Sequence, residues 1–200
     1  MSVALDFWFD FSSPYGYMMA ERIDALAARH GREVRWRPFL LGAVFKHTGG
    51  QPLSMQPLKG PYSARDLERS ARFLGRPCKQ PTAFPVSTHQ ACRVFYWLEA
   101  RDAGQAREFA QAVLRAYFTE DLDVSQVAVL QDIGEKLGIS REDVAGATGD
   151  DTVKNQLREV CEGAIAAGVF GSPFVVIDGE PFWGVDRLPQ SERWLETGGF

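Results

Sequence analysis

Three short stretches carry polar groups capable of chemistry. In Ser12-Ser13-Pro14-Tyr15-Gly16 a hydroxyl stands directly before a proline. That is the pattern of a helix start, with Ser13 as the cap and Pro14 in the first helical position. Unsatisfied N–H groups and the dipole at such an end favour an anion by ~0.3–1 kcal/mol. Gly171-Ser172-Pro173 is a second Ser-Pro step, with a plain reading as a loop before a strand, and Gly184-Val185-Asp186-Arg187 puts a carboxylate and a guanidinium at the entry to the last helical segment. Ser13 and Asp186 both have a plain structural reading as helix caps. Position 16 is glycine, however, so no reciprocal capping box supports a purely structural Ser13.

The usual soft ligands and nucleophiles are scattered. Cys78, Cys92 and Cys161 are odd in number, widely spaced and without a C-x-x-C pair, which points to neither a disulfide framework nor a zinc knuckle. Cys161 shares a four-residue spacing with Val153, Leu157 and Ile165, the buried side of a helix, where thiols are inert packing atoms. His30, His47 and His89 stand in no paired ligand spacing, so no metal site is expected. With 26 acidic against 22 basic residues the net charge is −4, which argues against nucleic-acid and anionic-membrane partners. The 200 residues, 45% hydrophobic and 24% charged, suit one globular domain or a domain carrying an insertion. Apolar runs such as Phe174-Val175-Val176-Ile177 fall far below the ~18 residues of a membrane span. Met1-Ser2-Val3-Ala4-Leu5-Asp6 shows no secretory signal, so the cytoplasm is the expected compartment.

The elements that must position these groups follow from periodicity. From Val3 to Phe11, Leu5, Phe7, Phe9 and Phe11 alternate with Asp6, Trp8 and Asp10, the pattern of a strand. A single helix of about four turns is expected from Pro14 to Gly31, then a second strand at Val34, Trp36 and Pro38, which completes a right-handed βαβ unit. Residues 39–88 read as a Gly/Pro-punctuated connection with one helix from about Ser63 to Leu74. Helical patterns continue to Gly168, including a box-like start at Ser140-Arg141-Glu142-Asp143. Asp178-Gly179 then joins two strands as a hairpin, and a helix from about Asp186 to Glu196 closes the chain. The expected architecture is α/β: residues 1–40 and 169–200 form a discontinuous sheet domain, and residues 41–168 a connecting loop and an inserted all-helical domain.

That βαβ…ββα order is the layout of the thioredoxin superfamily. Phe9-Asp10-Phe11-Ser12-Ser13-Pro14-Tyr15, Phe170-Gly171-Ser172-Pro173 and Trp183-Gly184-Val185-Asp186-Arg187-Leu188 together resemble the 2-hydroxychromene-2-carboxylate isomerases and the similar kappa-class glutathione transferases. The resemblance covers essentially the whole chain. It implies a thioredoxin-like fold of the disulfide-oxidoreductase branch, with Ser13-Pro14-Tyr15-Gly16 where redox members carry Cys-Pro-Tyr-Cys. Lacking both thiols, the protein cannot exchange a disulfide by itself. A thiolate brought by another molecule suits the place, and glutathione is the implied cofactor.

By resemblance, Ser13 is the catalytic residue, donating to the glutathione sulfur. Ser172 and Pro173, the expected cis-proline, present backbone to the cysteinyl group. Gly184, Val185, Asp186 and Arg187 hold the γ-glutamyl end, and Lys59 neutralises a glutathione or substrate carboxylate. Tyr15, Tyr17 and the loop from about Phe39 to Lys59 are the candidates for an aromatic substrate pocket. The chain departs from the family pattern at Gly50, Val86-Ser87 and Val185. The implied reaction is glutathione-dependent isomerisation of a 2-hydroxychromene-2-carboxylate type compound in aromatic catabolism: the thiolate adds, the ring opens, a bond rotates and the thiolate leaves. The alternatives are a kappa-like transferase that keeps the adduct and a non-catalytic glutathione- or peptide-binding module. A homodimer is implied by the family alone.

Overall fold

A computed structural model describes residues 4–200 of the chain. Its elements are β1 (Leu5–Phe9), α1 (Pro14–Ala20), α2 (Ile23–Arg29), β2 (Val34–Pro38), α3 (Leu41–Thr48), a 3-10 turn at Leu53–Met55, α4 (Lys59–Leu74), α5 (His89–Glu99), α6 (Ala103–Glu120), α7 (Val127–Lys136), α8 (Arg141–Gly149), α9 (Asp151–Ala166), β3 (Phe174–Ile177), β4 (Glu180–Trp183), a second 3-10 turn at Val185–Arg187 and α10 (Leu188–Thr197). The four strands form one mixed sheet in the order β2-β1-β3-β4. β1 runs parallel to β2, pairing Leu5 with Val34 and Phe9 with Pro38, and antiparallel to β3, pairing Trp8 with Phe174. β3 and β4 are an antiparallel hairpin whose turn residues, Asp178 and Gly179, both have positive φ (52° and 91°). Two such residues match the primed turn that suits the twist of a strand pair.

The expected βαβ and ββα halves are thus present, with helices alone between β2 and β3. Three local expectations need correction. Strand β1 begins at Leu5 among the described residues, and Val3, like Met1 and Ser2, lies outside them. Its alternation does not separate a wet face from a dry one, because Trp8 and Asp10 are buried along with Phe7, Phe9 and Phe11. A central strand flanked on both edges and covered on both faces buries both sets of side chains.

The single helix expected after Pro14 is split at Glu21–Arg22 into α1 and α2. There Glu21 is drawn to Arg115 (2.7 Å) and Arg76 (3.4 Å), and the Arg22 guanidinium donates to the Leu74 carbonyl, so both residues are committed to partners on and beside α4 and α6. The stretch expected to be a loose connection contains α3, and α4 begins at Lys59 rather than near Ser63. The sheet and the helices share one contiguous core, from Leu5, Phe7 and Phe9 through Phe95, Phe109 and Phe118 to Val175 and Phe182.

Tyr17, a candidate for the substrate pocket by type, belongs to that core. It is 2% exposed, its ring stacks on Phe118 with centroids 5.6 Å apart, and its hydroxyl donates to the Pro77 carbonyl at 3.1 Å. Burial, followed by the nearby Glu21 carboxylate, pushes its phenol from 10.0 up to about 12. The unfolded chain therefore ionises first. The stability contributed by the neutral phenol is complete below pH 10.0 and lost as pH rises towards about 12. Tyr17→Phe should flatten the fall in urea midpoint across that window relative to wild type, while leaving the midpoint's dependence on pH near neutrality unchanged.

Candidate functional site

Ser13 lies at the N-cap of α1, with φ −92° and ψ 114°, and its Oγ accepts the Gly16 N–H at 3.0 Å. The same hydroxyl donates to the Ser172 carbonyl at 2.9 Å. Capping and a tertiary contact therefore coexist on one oxygen, with its single proton directed at the peptide that precedes Pro173. The Ser172–Pro173 bond is cis. α1 has only seven residues, which limits the aligned dipole behind Ser13 and puts the weight on individual hydrogen bonds.

Gly16 decides the space around them. A methyl carbon built on it would lie 3.0 Å from Ser172 Oγ, 3.1 Å from Ser13 Cβ and 3.3 Å from Ser13 Oγ. Position 16 is therefore closely packed, and any side chain larger than hydrogen would press on the Ser13 and Ser172 hydroxyls.

A residue that pattern reasoning passed over holds this arrangement. Asp10, 4% exposed, accepts from Ser12 N (2.8 Å), Ser12 Oγ (2.8 Å) and Thr88 Oγ1 (2.9 Å) on one carboxylate oxygen, and from Leu41 N (2.7 Å) on the other. Its backbone N–H donates to Ser172 Oγ at 2.9 Å, and its carbonyl accepts the Ser13 N–H at 2.9 Å. One buried carboxylate thus ties the Ser12–Ser13 turn to the starts of α3 and α5. The only signal in the sequence was an acid at the end of an aromatic strand.

On the other side, the Gly184 N–H donates to the Pro173 carbonyl at 3.0 Å, which joins the cis-proline loop to the turn at Val185–Arg187. Gly184 has φ 107° and ψ 149°, and a methyl there would meet Asp186 Oδ1 at 2.4 Å, so glycine is needed for both conformation and space. Val185 is buried, whereas Asp186 and Arg187 are exposed and face each other at 3.6 Å. Asp186 caps neither that turn nor α10 with its side chain. The turn packs against α1. Ser13, Ser172, Pro173 and Gly184 are therefore linked by direct hydrogen bonds, with Val185, Asp186 and Arg187 following at once.

Tyr15 is half-buried, and its hydroxyl donates to Asp66 Oδ2 on α4 at 2.6 Å. Burial and then that hydrogen bond push its phenol up, keeping it a donor at neutral pH. Lys59 opens α4, exposed and without an ion pair among the described residues, two turns before Asp66 on the same helical face. Its positive charge adds to the positive end of a 16-residue helix.

The thiols do not offer a nucleophile: Cys92 and Cys161 lie buried behind Asp10, beside Thr88 and Leu40. Burial raises all three, Cys78 to about 12, so each is held neutral near pH 7. His30 does approach Glu192 and Glu196, with ligand atoms within 4.8 Å of one another, but Arg29 already pairs with Glu192 there. A groove of about 300 Å³ between β4 and α10, lined by Phe182, Trp183, Arg187, Trp194 and Phe200 among others, adjoins the site at Trp183 and Arg187 and does not include Ser13.

The mixed sheet, the cis-proline loop against the N-cap of α1 and the helical block between β2 and β3 define a thioredoxin-like fold. The chain belongs to the DSBA-like thioredoxin domain family, whose pattern matches residues 4–196. It is 28% identical over 197 residues to a 2-hydroxychromene-2-carboxylate isomerase of Sphingobium xenophagum, covering 98% of this chain and 99% of that one. It is 29% identical over 205 residues to glutathione S-transferase kappa 2 of Caenorhabditis elegans, covering 94% and 90%. A solved structure of a 2-hydroxychromene-2-carboxylate isomerase superposes with a TM-score of 0.88 at 26% identity, covering 97% of this chain and 95% of that one. No helix among the described residues is long and apolar enough to cross a membrane.

Proposed function

We propose that the protein is a glutathione-dependent isomerase of 2-hydroxychromene-2-carboxylate type compounds, acting in aromatic catabolism as a cytoplasmic homodimer. The observation that carries this reading is the Ser13 hydroxyl, standing where redox relatives place a thiol and hydrogen-bonded to the peptide before the cis-proline. The polar groups suit a small thiol peptide: the Ser13 and Ser172 hydroxyls beside Gly16, the Ser172 peptide before the cis-proline, and the exposed Asp186 carboxylate on the next turn. Glutathione, when bound, supplies the nucleophilic sulfur that positions 13 and 16 do not carry.

The chain's own residues do the rest. Ser13 turns its proton from the Ser172 carbonyl to the sulfur, a charge-assisted hydrogen bond that lowers the thiol pKa. The Ser172 carbonyl, released from Ser13, accepts from a peptide N–H in the manner of an added strand. Asp186 meets the γ-glutamyl ammonium, and the Val185 backbone with Arg187 meets its carboxylate. Lys59 offers its ammonium to a substrate carboxylate, with Tyr15 as an aromatic wall beside α4.

A kappa-like transferase is the second reading, favoured by relatives of that name at the same identity. Product analysis separates the readings. With 2-hydroxychromene-2-carboxylate and glutathione, the isomerase changes the ultraviolet spectrum of the substrate at constant total thiol. A transferase removes thiol as product forms, and a binding module changes neither.

A further inference from the structure

Ser172 departs from a purely backbone role in the site. Its Oγ accepts the Asp10 N–H at 2.9 Å, and no acceptor for its own proton stands among the described residues. A hydroxyl fixed by an incoming N–H keeps its oxygen in place while the O–H is free to turn about the C–O bond. The oxygen lies 3.0 Å from the point where a Gly16 methyl would be, and Ser13 Oγ lies 3.3 Å from the same point. Two hydroxyls, one on the N-cap of α1 and one on the cis-proline loop, thus stand close together against Gly16, where any side chain would press on both. Ser13 alone cannot saturate a thiolate, which accepts several hydrogen bonds, and its oxygen is already oriented by the Gly16 N–H.

We propose that the Ser172 hydroxyl is a second donor to the reacting sulfur, a further catalytic residue that works with Ser13 across Gly16. The inference rests on the glutathione reading above and adds to it a side chain whose backbone alone had been assigned a part. Asp10 is then a positioning residue, because its N–H sets where the Ser172 oxygen sits.

Thr and Val at position 172 share a shape and differ in the hydroxyl, which makes them the useful pair. The readout is the thiolate absorbance of bound glutathione across pH, at saturating glutathione and without substrate. If Ser172 donates, Ser172→Val raises the thiol pKa by about 0.5–1 unit over wild type and Ser172→Thr restores most of the depression. Adding Ser13→Ala to Ser172→Val brings the thiol to its free-solution value. A purely structural Ser172 would lower the melting temperature of both variants without moving the thiol titration. A depressed thiol pKa in wild type that is unchanged in Ser172→Val overturns this inference alone. No depression in wild type overturns it together with the proposed function.

Discussion

Ser13→Ala should lose about 10²- to 10³-fold in kcat while glutathione affinity changes by no more than a few-fold, the signature of a donor whose bond matters most when charge sits on its partner. Affinity survives because the Ser172–Pro173 backbone, the Gly184 turn and Asp186 are untouched by the change. Activation does not survive, because the change removes the Ser13 hydroxyl, which points at the Ser172 carbonyl at 2.9 Å and would turn its proton to the sulfur. The thiol pKa of bound glutathione should rise towards its solution value, and the rate–pH profile should move to higher pH with it. Alanine also removes the cap on the Gly16 N–H, worth about 1 kcal/mol, so a modest fall in melting temperature is expected and is not itself evidence for catalysis. Stopped-flow turnover together with calorimetric glutathione binding settles the matter. A variant with wild-type kcat would remove Ser13 from the chemistry and leave it as a helix cap.

The parts of this site that were readable in the chain are those with local causes. A serine before a proline starts a helix, Asp-Gly turns a hairpin, and alternating aromatics make strands, so the sheet and both ends of the site could be placed from periods and caps. Bringing Ser13, Ser172 and Asp186 together took the three ordered motifs, since no spacing rule relates positions so far apart. What escaped notice depends on partners distant in sequence. The start of α3 is capped by Asp10 Oδ2, 31 residues away, and Gly42, Gly49 and Pro52 hide the helix from any local reading. The break between α1 and α2 coincides with ion pairs to Arg76 and Arg115 that only the folded chain creates. Tyr17 was a pocket candidate by residue type alone, as was Tyr15, yet on a helix side chains two positions apart face different ways, here one to Asp66 and one to Phe118.

Asp10→Ala should be the most destabilising single change at the site, by about 3–5 kcal/mol, as expected when several buried donors lose one shared acceptor at about 1–3 kcal/mol each. The donors left behind are the Ser12 and Leu41 N–H groups and the Ser12 and Thr88 hydroxyls, and those of Leu41 and Thr88 start separate helices. Asp10→Asn keeps one acceptor oxygen and puts an NH₂ where the other stood, so either the Leu41 N–H or the Ser12 and Thr88 donors face a donor; it should cost less than alanine. Thr88→Val removes one hydrogen bond of the set and should cost about 1 kcal/mol. Urea denaturation should therefore rank the three variants Ala, Asn, Val in falling order of loss. The effect should also reach the chemistry. The Asp10 carboxylate holds the Ser12 N–H and hydroxyl, and with them the turn that carries Ser13 beside the Asp10 N–H on which Ser172 Oγ rests; a turn loosened in Asp10→Asn should therefore make the glutathione thiol titrate higher than in wild type under conditions where the variant remains fully folded. A destabilised Asp10→Asn whose bound thiol titrates as in wild type would mean that the carboxylate supports the fold alone, and that the two hydroxyls are held in place by the helix cap and the cis-proline loop without it.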